Sequence, residues 1–200
     1  MLSQLRPALV SMGLFTALLG LAYPLAVTGV AQATFPAQAN GSLIRDAGGQ
    51  IIGSALIGQA FAKPEYFHGR PSAAGNGYDA AASSGSNMGP LNDKLIDREK
   101  TDAAALRAEN PGVVIPADAV TTSASGLDPD ISPANARFQA PRVAKARGAP
   151  AAEVEALIEA QVQQPLLGFI GQPRINVLAL NRALDARFPI IPARKAASAG

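Results

Sequence analysis

The chemistry this sequence can offer is concentrated in a few short strings. His68 stands in Tyr66-Phe67-His68-Gly69-Arg70-Pro71-Ser72, which packs aromatic rings, an imidazole and a guanidinium close together. Such groups anchor interfaces because they combine large apolar area with directed polar contacts. A satisfied, partly buried histidine is the other reading of the same string. Asp128 and Asp130, within Ser125-Gly126-Leu127-Asp128-Pro129-Asp130, could offer carboxylate oxygens to a hard cation. Two acids in a proline-containing turn are more commonly Asx-turn formers. The stretch Ser83-Ser84-Gly85-Ser86-Asn87-Met88-Gly89-Pro90 could present backbone N–H groups to an anion, but it contains no lysine and reads first as a structural or interface loop. Lys145 and Arg147, near a helix end, read as solvated cations that complement the helix dipole.

Several reaction classes are excluded by what these strings lack. A Walker A loop wraps phosphates with Gly-Lys, and no lysine here follows a glycine. No Gly-x-Ser-x-Gly elbow accompanies the histidine, so a serine hydrolase has no nucleophile in place. With one histidine and no cysteine, the common zinc sites cannot be built and disulfides are impossible. The 17 Lys+Arg against 15 Asp+Glu give a net charge of only +2. That balance leaves no broad cationic face of the kind that tracks nucleic-acid phosphates. The residues therefore predict no catalytic site and no metal site, and leave cofactor binding unknown.

The charges are unevenly placed, and this dictates the architecture. No charged residue or histidine lies between Arg6 and Arg45. A helix over 7–30 would be roughly 36 Å long at ~1.5 Å per residue, enough to cross a hydrocarbon core of about 30 Å. One transmembrane helix is the direct reading. A cleavable signal peptide is the alternative, since Ala31-Gln32-Ala33 has the small-x-small form of a cleavage site. The apolar run nevertheless exceeds the roughly 7–15 residues of a signal h-region. Arg6 puts residues 1–6 in the cytoplasm by the positive-inside rule. Gly13 and Ala17, then Ala22 and Ala26, repeat small residues four apart and could let a neighbouring helix approach. Pro24 is expected to kink the span.

The remaining residues, 31–187, are expected to form one mixed α+β extracytoplasmic domain with a small sheet, followed by a C-terminal tail, 188–200. Asp46-Ala47-Gly48-Gly49 between two apolar runs predicts a hairpin, with Ile51, Ile52, Leu56 and Ile57 lining its buried side. A long loop follows from Lys63 to Pro90. Leu91 to Glu109 alternates charges around Leu91, Leu95, Ile96 and Leu106, which predicts a helix with a narrow buried stripe ended by Asn110-Pro111-Gly112. Val113-Val114-Ile115 is a candidate strand. Ser132-Pro133 supplies a cap and a first-turn proline for a helix broken near Pro141. A further helix from about Pro150 carries Val154, Leu157, Ile158 and Val162 on one face and stops before Pro165. A strand over Arg174 to Leu178 and a last helix through Leu180 and Leu184 complete the domain.

Taken in order, the strings Arg6-Pro7-Ala8, Asn40-Gly41-Ser42-Leu43-Ile44, Gly53-Ser54-Ala55-Leu56-Ile57-Gly58-Gln59 and Tyr66 to Ser72 resemble the C subunit of the bacterial Kdp potassium-transporting ATPase. The resemblance continues through Gly85-Ser86-Asn87, Ser123 to Pro129 with Ile131-Ser132-Pro133, and Pro141 to Arg147. It ends with Gly171 to Val177, Leu180-Asn181 and Ala183-Leu184-Asp185. It covers roughly residues 5–187. The segments 73–82 and 188–200 fall outside it and carry no assigned role.

The resemblance implies a non-catalytic inner-membrane subunit with a periplasmic domain. Its implied partners are a potassium channel-like subunit, an ATP-hydrolysing P-type subunit and a small single-span subunit. ATP, through the pump subunit, and potassium, as the transported ion, are implied for the complex and no cofactor for this chain. Glu99-Lys100-Thr101-Asp102 departs from the pump's Asp-Lys-Thr-Gly phosphorylation motif. The implied role is a catalytic chaperone that stabilises the assembly and raises the pump's affinity for ATP. An external gate or filter over the channel-like subunit, with Asp128 and Asp130 raising local cation concentration, is the competing reading. The candidate interface residues within the matching strings are Tyr66, Phe67, His68, Arg70, Ser86, Asn87, Asp128, Arg142, Arg174 and Asn176. Gly13, Ala17, Ala22 and Ala26 are the candidates for packing in the membrane.

Overall fold

The computed structural model describes residues 2–190 and divides into two compact units, one running to Ser54 and the other beginning at Ala55. The first unit begins with α1, Leu5–Ala17, and α2, Tyr23–Thr34. A π turn, Leu18–Ala22, joins them into 30 continuous helical residues, long and apolar enough to cross a membrane. Pro24 has no N–H to donate and crowds the preceding turn. The wider turn absorbs the mismatch, the Tyr23 N–H reaching back five residues to the Leu18 carbonyl. No residue of α1 or α2 is buried. A short helix, α3 (Pro36–Ala39), precedes the predicted hairpin, in which β1 (Leu43–Arg45) pairs antiparallel with β2 (Ile51–Ser54). Asp46 Oδ1 closes the turn by accepting from the N–H groups of Gly48 and Gln50, each at 2.9 Å.

In the second unit, α4 (Asp93–Glu109) starts at Asn92, whose side chain accepts from the Lys94 N–H. Its stripe is only half-buried: Leu95, Ile96 and Leu106 are partly covered and Leu91 is exposed. Next come β3 (Asp130–Ile131), α5 (Pro133–Arg147), α6 (Ala151–Gln161), β4 (Ile175–Asn176) and α7 (Val177–Arg187). Ser132 caps α5 through Asn135, and Asn176 caps α7 through Ala179. Gly148, at φ +62°, terminates α5 in the left-handed conformation that a side chain resists. The core joins Ala136, Ala140 and Val143 of α5 to Val154 and Ile158 of α6 and Leu180 and Leu184 of α7, with Phe67, Ile131 and Ile175 closing it.

Four expectations need correction. The sheet is two separate two-stranded pairs, β1 with β2 and β3 with β4. Val113–Ile115 forms no strand; Val113 and Val114 are exposed, and the run has no paired neighbour to reward extension. Helix α5 does not break at Pro141. The ring and Arg137, whose carbonyl loses its intrahelical donor, both lie on the exposed face, where solvent is available to that carbonyl. Ile51, Ile52, Leu56 and Ile57 are exposed, not buried. The expected tail from 188 lies, from residue 191 on, outside the described residues.

Two stability changes follow. Leu180→Ala, which empties a fully buried site, should cost about 2–5 kcal/mol. Pro141→Ala should stabilise the chain by about 1–3 kcal/mol, by restoring the donor to the Arg137 carbonyl and a good helix former. Denaturant unfolding of the full chain in mild detergent reads both; a fall on removing Pro141 would mean that the ring makes a contact worth more than the helix bond.

Candidate functional site

The segment Tyr66–Ser72 has no strand beside it, yet it is partly covered throughout and fully buried at Phe67, and two side-chain amides replace the missing ladder. Asn181 of α7 accepts from the Phe67 N–H at 2.8 Å and donates to the Phe67 carbonyl at 2.9 Å. Gln139 of α5 does the same for His68, at 2.8 and 3.0 Å. Gln139 also donates to Asn135 Oδ1 and accepts from Arg142, so both of its polar atoms are fully used. The network runs on from Asn135 Nδ2 to Asp118, whose carboxylate accepts from the Ser132 N–H and hydroxyl. Phe67 is fully buried against the core.

Arginines hold the rest of the segment. Arg142 donates to the carbonyls of Pro64 and Tyr66 and to Glu109. Arg147 is not the solvated cation expected at a helix end. Its side chain is 1% exposed, and it donates to the carbonyls of Glu65 and Phe188. It also lies 4.7 Å from the Tyr66 ring centre. Its Nη2 stands 2.8 Å from Asp185, as an ion pair off the line of a hydrogen bond. Burial raises the Tyr66 pKa, and the Asp185 charge adds to the rise.

Around Arg70 the site is polar. Arg70 pairs with Asp128 at 3.0 Å and donates to the Thr122 carbonyl at 3.2 Å. Asp128 uses its other oxygen to accept from the Asp130 N–H, as an Asx turn requires. Asp130 in turn pairs with Arg174 at 2.9 Å; burial raises its pKa, against the pull of Arg174. These groups, with Asp118, line a cleft of ≈ 400 Å³. Tyr78 donates to the Arg70 carbonyl at 2.6 Å, and burial pushes its pKa up to about 12, so the phenol keeps its proton. A second cleft, of ≈ 390 Å³, is lined by His68, Tyr78, Asp102, Glu109, Gln139 and Arg142 among others.

The structure therefore brings Arg70 together with Asp128, Asp130 with Arg174, and Tyr66, Phe67, His68 and Arg142 into one network. Asn176, in β4, donates to the Ala55 carbonyl at 3.0 Å, besides capping α7. Ser86 and Asn87 stand apart from these pairs, Asn87 exposed with φ +51°. Their loop is held by Ser83 and Ser84, which both donate to the Ser125 carbonyl. It lies close to Gly126, where an added Cβ would come within 2.7 Å of the Ser84 carbonyl oxygen. Gly13, Ala17, Ala22 and Ala26 are all exposed.

Chemically, Asp118, Asp128, Asp130 and Glu109 are occupied by arginines or by N–H and hydroxyl donors, and the imidazole Nε2 is 3.0 Å from the Lys63 carbonyl. Among the described residues no group of three or more His, Cys, Asp or Glu side chains is placed to hold a metal ion. The arrangement is suited to fixing a surface. Sequence reasoning missed Asn181, Gln139, Asn135, Asp118 and Tyr78. A signal for Asn181 was present, because it is a polar residue between Leu180 and Leu184 on a helix otherwise read as apolar on that side.

The family model described as "KdpC: K+-transporting ATPase, c chain" matches residues 5–186. A protein of Caulobacter vibrioides named "Potassium-transporting ATPase KdpC subunit" is 84% identical over 195 residues, covering 98% of this chain and 99% of its own length. Proteins of the same name from Beijerinckia indica and Rhodopseudomonas palustris are 62% and 55% identical, each covering at least 94% of this chain and at least 97% of their own length.

Two outcomes test the network. Asn181→Leu leaves the buried N–H and carbonyl of Phe67 without partners and should cost about 2–5 kcal/mol in unfolding free energy; an unchanged value would show that the clasp adds nothing. Burial lowers the His68 pKa below its ordinary value, and Arg142 pulls the same way against the Lys63 carbonyl and Glu109. The unfolded chain then takes up the proton first as pH falls, so stability is full above about pH 6.5 and declines below it. His68→Gln should flatten the stability curve between about pH 7 and 5.

Proposed function

Because the chain belongs to the KdpC family, the c chain of K+-transporting ATPases, we propose that it works as a non-catalytic chaperone of the pump. In this reading it crosses the inner membrane once, with Arg6 on the cytoplasmic side and residues 31–187 in the periplasm. It stabilises an assembly of a potassium channel-like subunit, an ATP-hydrolysing P-type subunit and a small single-span subunit, and it raises the pump's apparent affinity for ATP.

The observation that carries the reading is the 30-residue apolar helix that the chain itself leaves wholly unburied. A helix with Gly13, Ala17, Ala22 and Ala26 on its surface can pack closely against other spans. A periplasmic domain cannot touch cytoplasmic nucleotide, so an effect on ATP affinity must travel as a coupling free energy between the two sides. The filter reading, by contrast, needs free negative charge at the channel mouth. Asp128 and Asp130 each face an arginine at about hydrogen-bonding distance, which cancels most of the field they could supply.

The test is potassium-stimulated ATP hydrolysis by the purified complex with and without this chain, titrating ATP and potassium separately. Omission should raise the half-saturating ATP concentration about tenfold, within the roughly 5–150-fold span of ordinary coupling energies, and leave the potassium midpoint in place. A shift confined to the potassium midpoint would transfer support to the filter. Asp128→Asn with Asp130→Asn should likewise leave potassium dependence unchanged.

A further inference from the structure

The most exposed apolar cluster in the second unit lies between α6 and β4. Leu166 is 68% exposed, Leu167 75%, Phe169 75% and Ile170 51%. These side chains do not dangle from a loose loop. Leu166 and Ile170 exchange both backbone hydrogen bonds, at 3.1 and 2.9 Å, and the Gly168 N–H donates to the Pro165 carbonyl at 3.0 Å. One step further down, Gln163 and Arg174 exchange two more, at 2.8 and 3.1 Å. The next residue, Ile175, is fully buried in the core. The tip is thus a braced projection of the core.

Its residue choice runs against solvation. Leu167 holds φ +55° beside Gly168 at +80°, a backbone region where glycine or asparagine rests more easily than leucine. An apolar side chain is kept there at a conformational cost, which is the mark of a position whose side chain has a use. The surroundings restrict what could cover it. No charged residue occurs between Glu159 and Arg174, and those two are paired with Arg137 and Asp130. Gln163, Gln164 and Gln172 supply the rim. A lipid surface is met with Trp, Tyr, Lys or Arg around an apolar point, and none of these lies in the stretch. An apolar centre with a neutral polar rim and no charge is the composition of a protein interface core.

We propose that the tip Leu166–Ile170 is a docking knob that seats in an apolar, charge-poor groove of a partner subunit of the same potassium-transporting assembly. The inference rests on the subunit reading above and names where the contact lies.

The chain has no cysteine, so Phe169→Cys introduces a unique thiol, with Lys145→Cys on the exposed face of α5 as the control. Each variant is placed in lipid nanodiscs, alone and within the complex, and its alkylation by a charged maleimide is timed. At position 169 labelling should slow at least tenfold in the complex but not in the chain alone, while the control labels at similar rates in both. Equal rates at 169 in both preparations overturn the proposal; slow labelling in the chain alone means that lipid covers the tip, and overturns it too. Leu167→Asn with Phe169→Ser, which the backbone accommodates, should cut recovery of the chain with its partners at least tenfold at an unchanged unfolding midpoint; recovery equal to that of the unaltered chain also overturns the proposal. Failure of the unaltered chain to co-purify with the pump and channel-like subunits would instead remove the subunit reading, a result visible before any variant is made.

Discussion

An extended segment buried without a neighbouring strand must find partners for every N–H and carbonyl it carries, since an unpaired buried group costs as much as the folded state can spare. Phe67 and His68 impose that constraint here. Their backbone runs between α5 and α7, and the amides of Gln139 and Asn181 act as the edges of an absent sheet. The side-chain amide carries one donor side and one acceptor side in a plane, so a single residue can replace both hydrogen bonds of a strand partner. Two consequences follow from this choice. The helices can be spaced by the segment without a sheet, and Phe67 is delivered into the core as the residue that joins them.

The same economy explains how the stretch from Pro64 to Arg70 is tied to the rest of its unit. Arginine has five donors in a planar fork, and each of three arginines binds several loop carbonyls or hydroxyls at once. Arg142 holds Pro64 and Tyr66, Arg147 holds Glu65 and Phe188, and Arg70 holds Thr121 and Thr122. Each also meets a carboxylate, Glu109, Asp185 or Asp128 respectively. The half-exposed partners limit what the ion pairs contribute by themselves. Their value lies in orienting the fork, which leaves the remaining donors aimed at the backbone.

What the sequence disclosed divides along a physical line. Local signals were legible: the Asp46–Gly49 turn, the Ser132 helix start, the stop before Pro165, and the α6 stripe of Val154 and Ile158, whereas Asn176, read as part of a strand, turned out also to cap α7. These depend on neighbours within a few residues. Long-range pairing was not legible. Nothing near Arg147 announces that Asp185 and Glu65 will receive it, and nothing near Val113 announces that no strand will arrive beside it. Pro141 misled for a related reason, because the cost of an interior proline depends on whether the freed carbonyl faces water. At the candidate site, the string around His68 was marked for its density of aromatic, imidazole and guanidinium groups. Their direction was hidden, since Phe67, His68 and Arg142 turn inward to brace the domain while the exposed Leu166–Ile170 tip drew no notice as a short apolar run after a helix.

A rigid domain and a small exposed contact are together sufficient for regulation at a distance. A tenfold change in an apparent affinity corresponds to about 1.4 kcal/mol, and full burial of one leucine or phenylalanine side chain contributes about 1.5–3 kcal/mol. A partner that covers one more such side chain in one of its states than in another would therefore bias its own equilibrium by the required amount. For that bias to act on the partner, the exposed side chain must not simply swing to follow it. The paired hydrogen bonds of Leu166 with Ile170 and of Gln163 with Arg174, continued into the buried Ile175, meet that condition. Under the proposed chaperone role, the stiffness built from amides and arginines is what would let this chain bias a partner's equilibrium through contact alone.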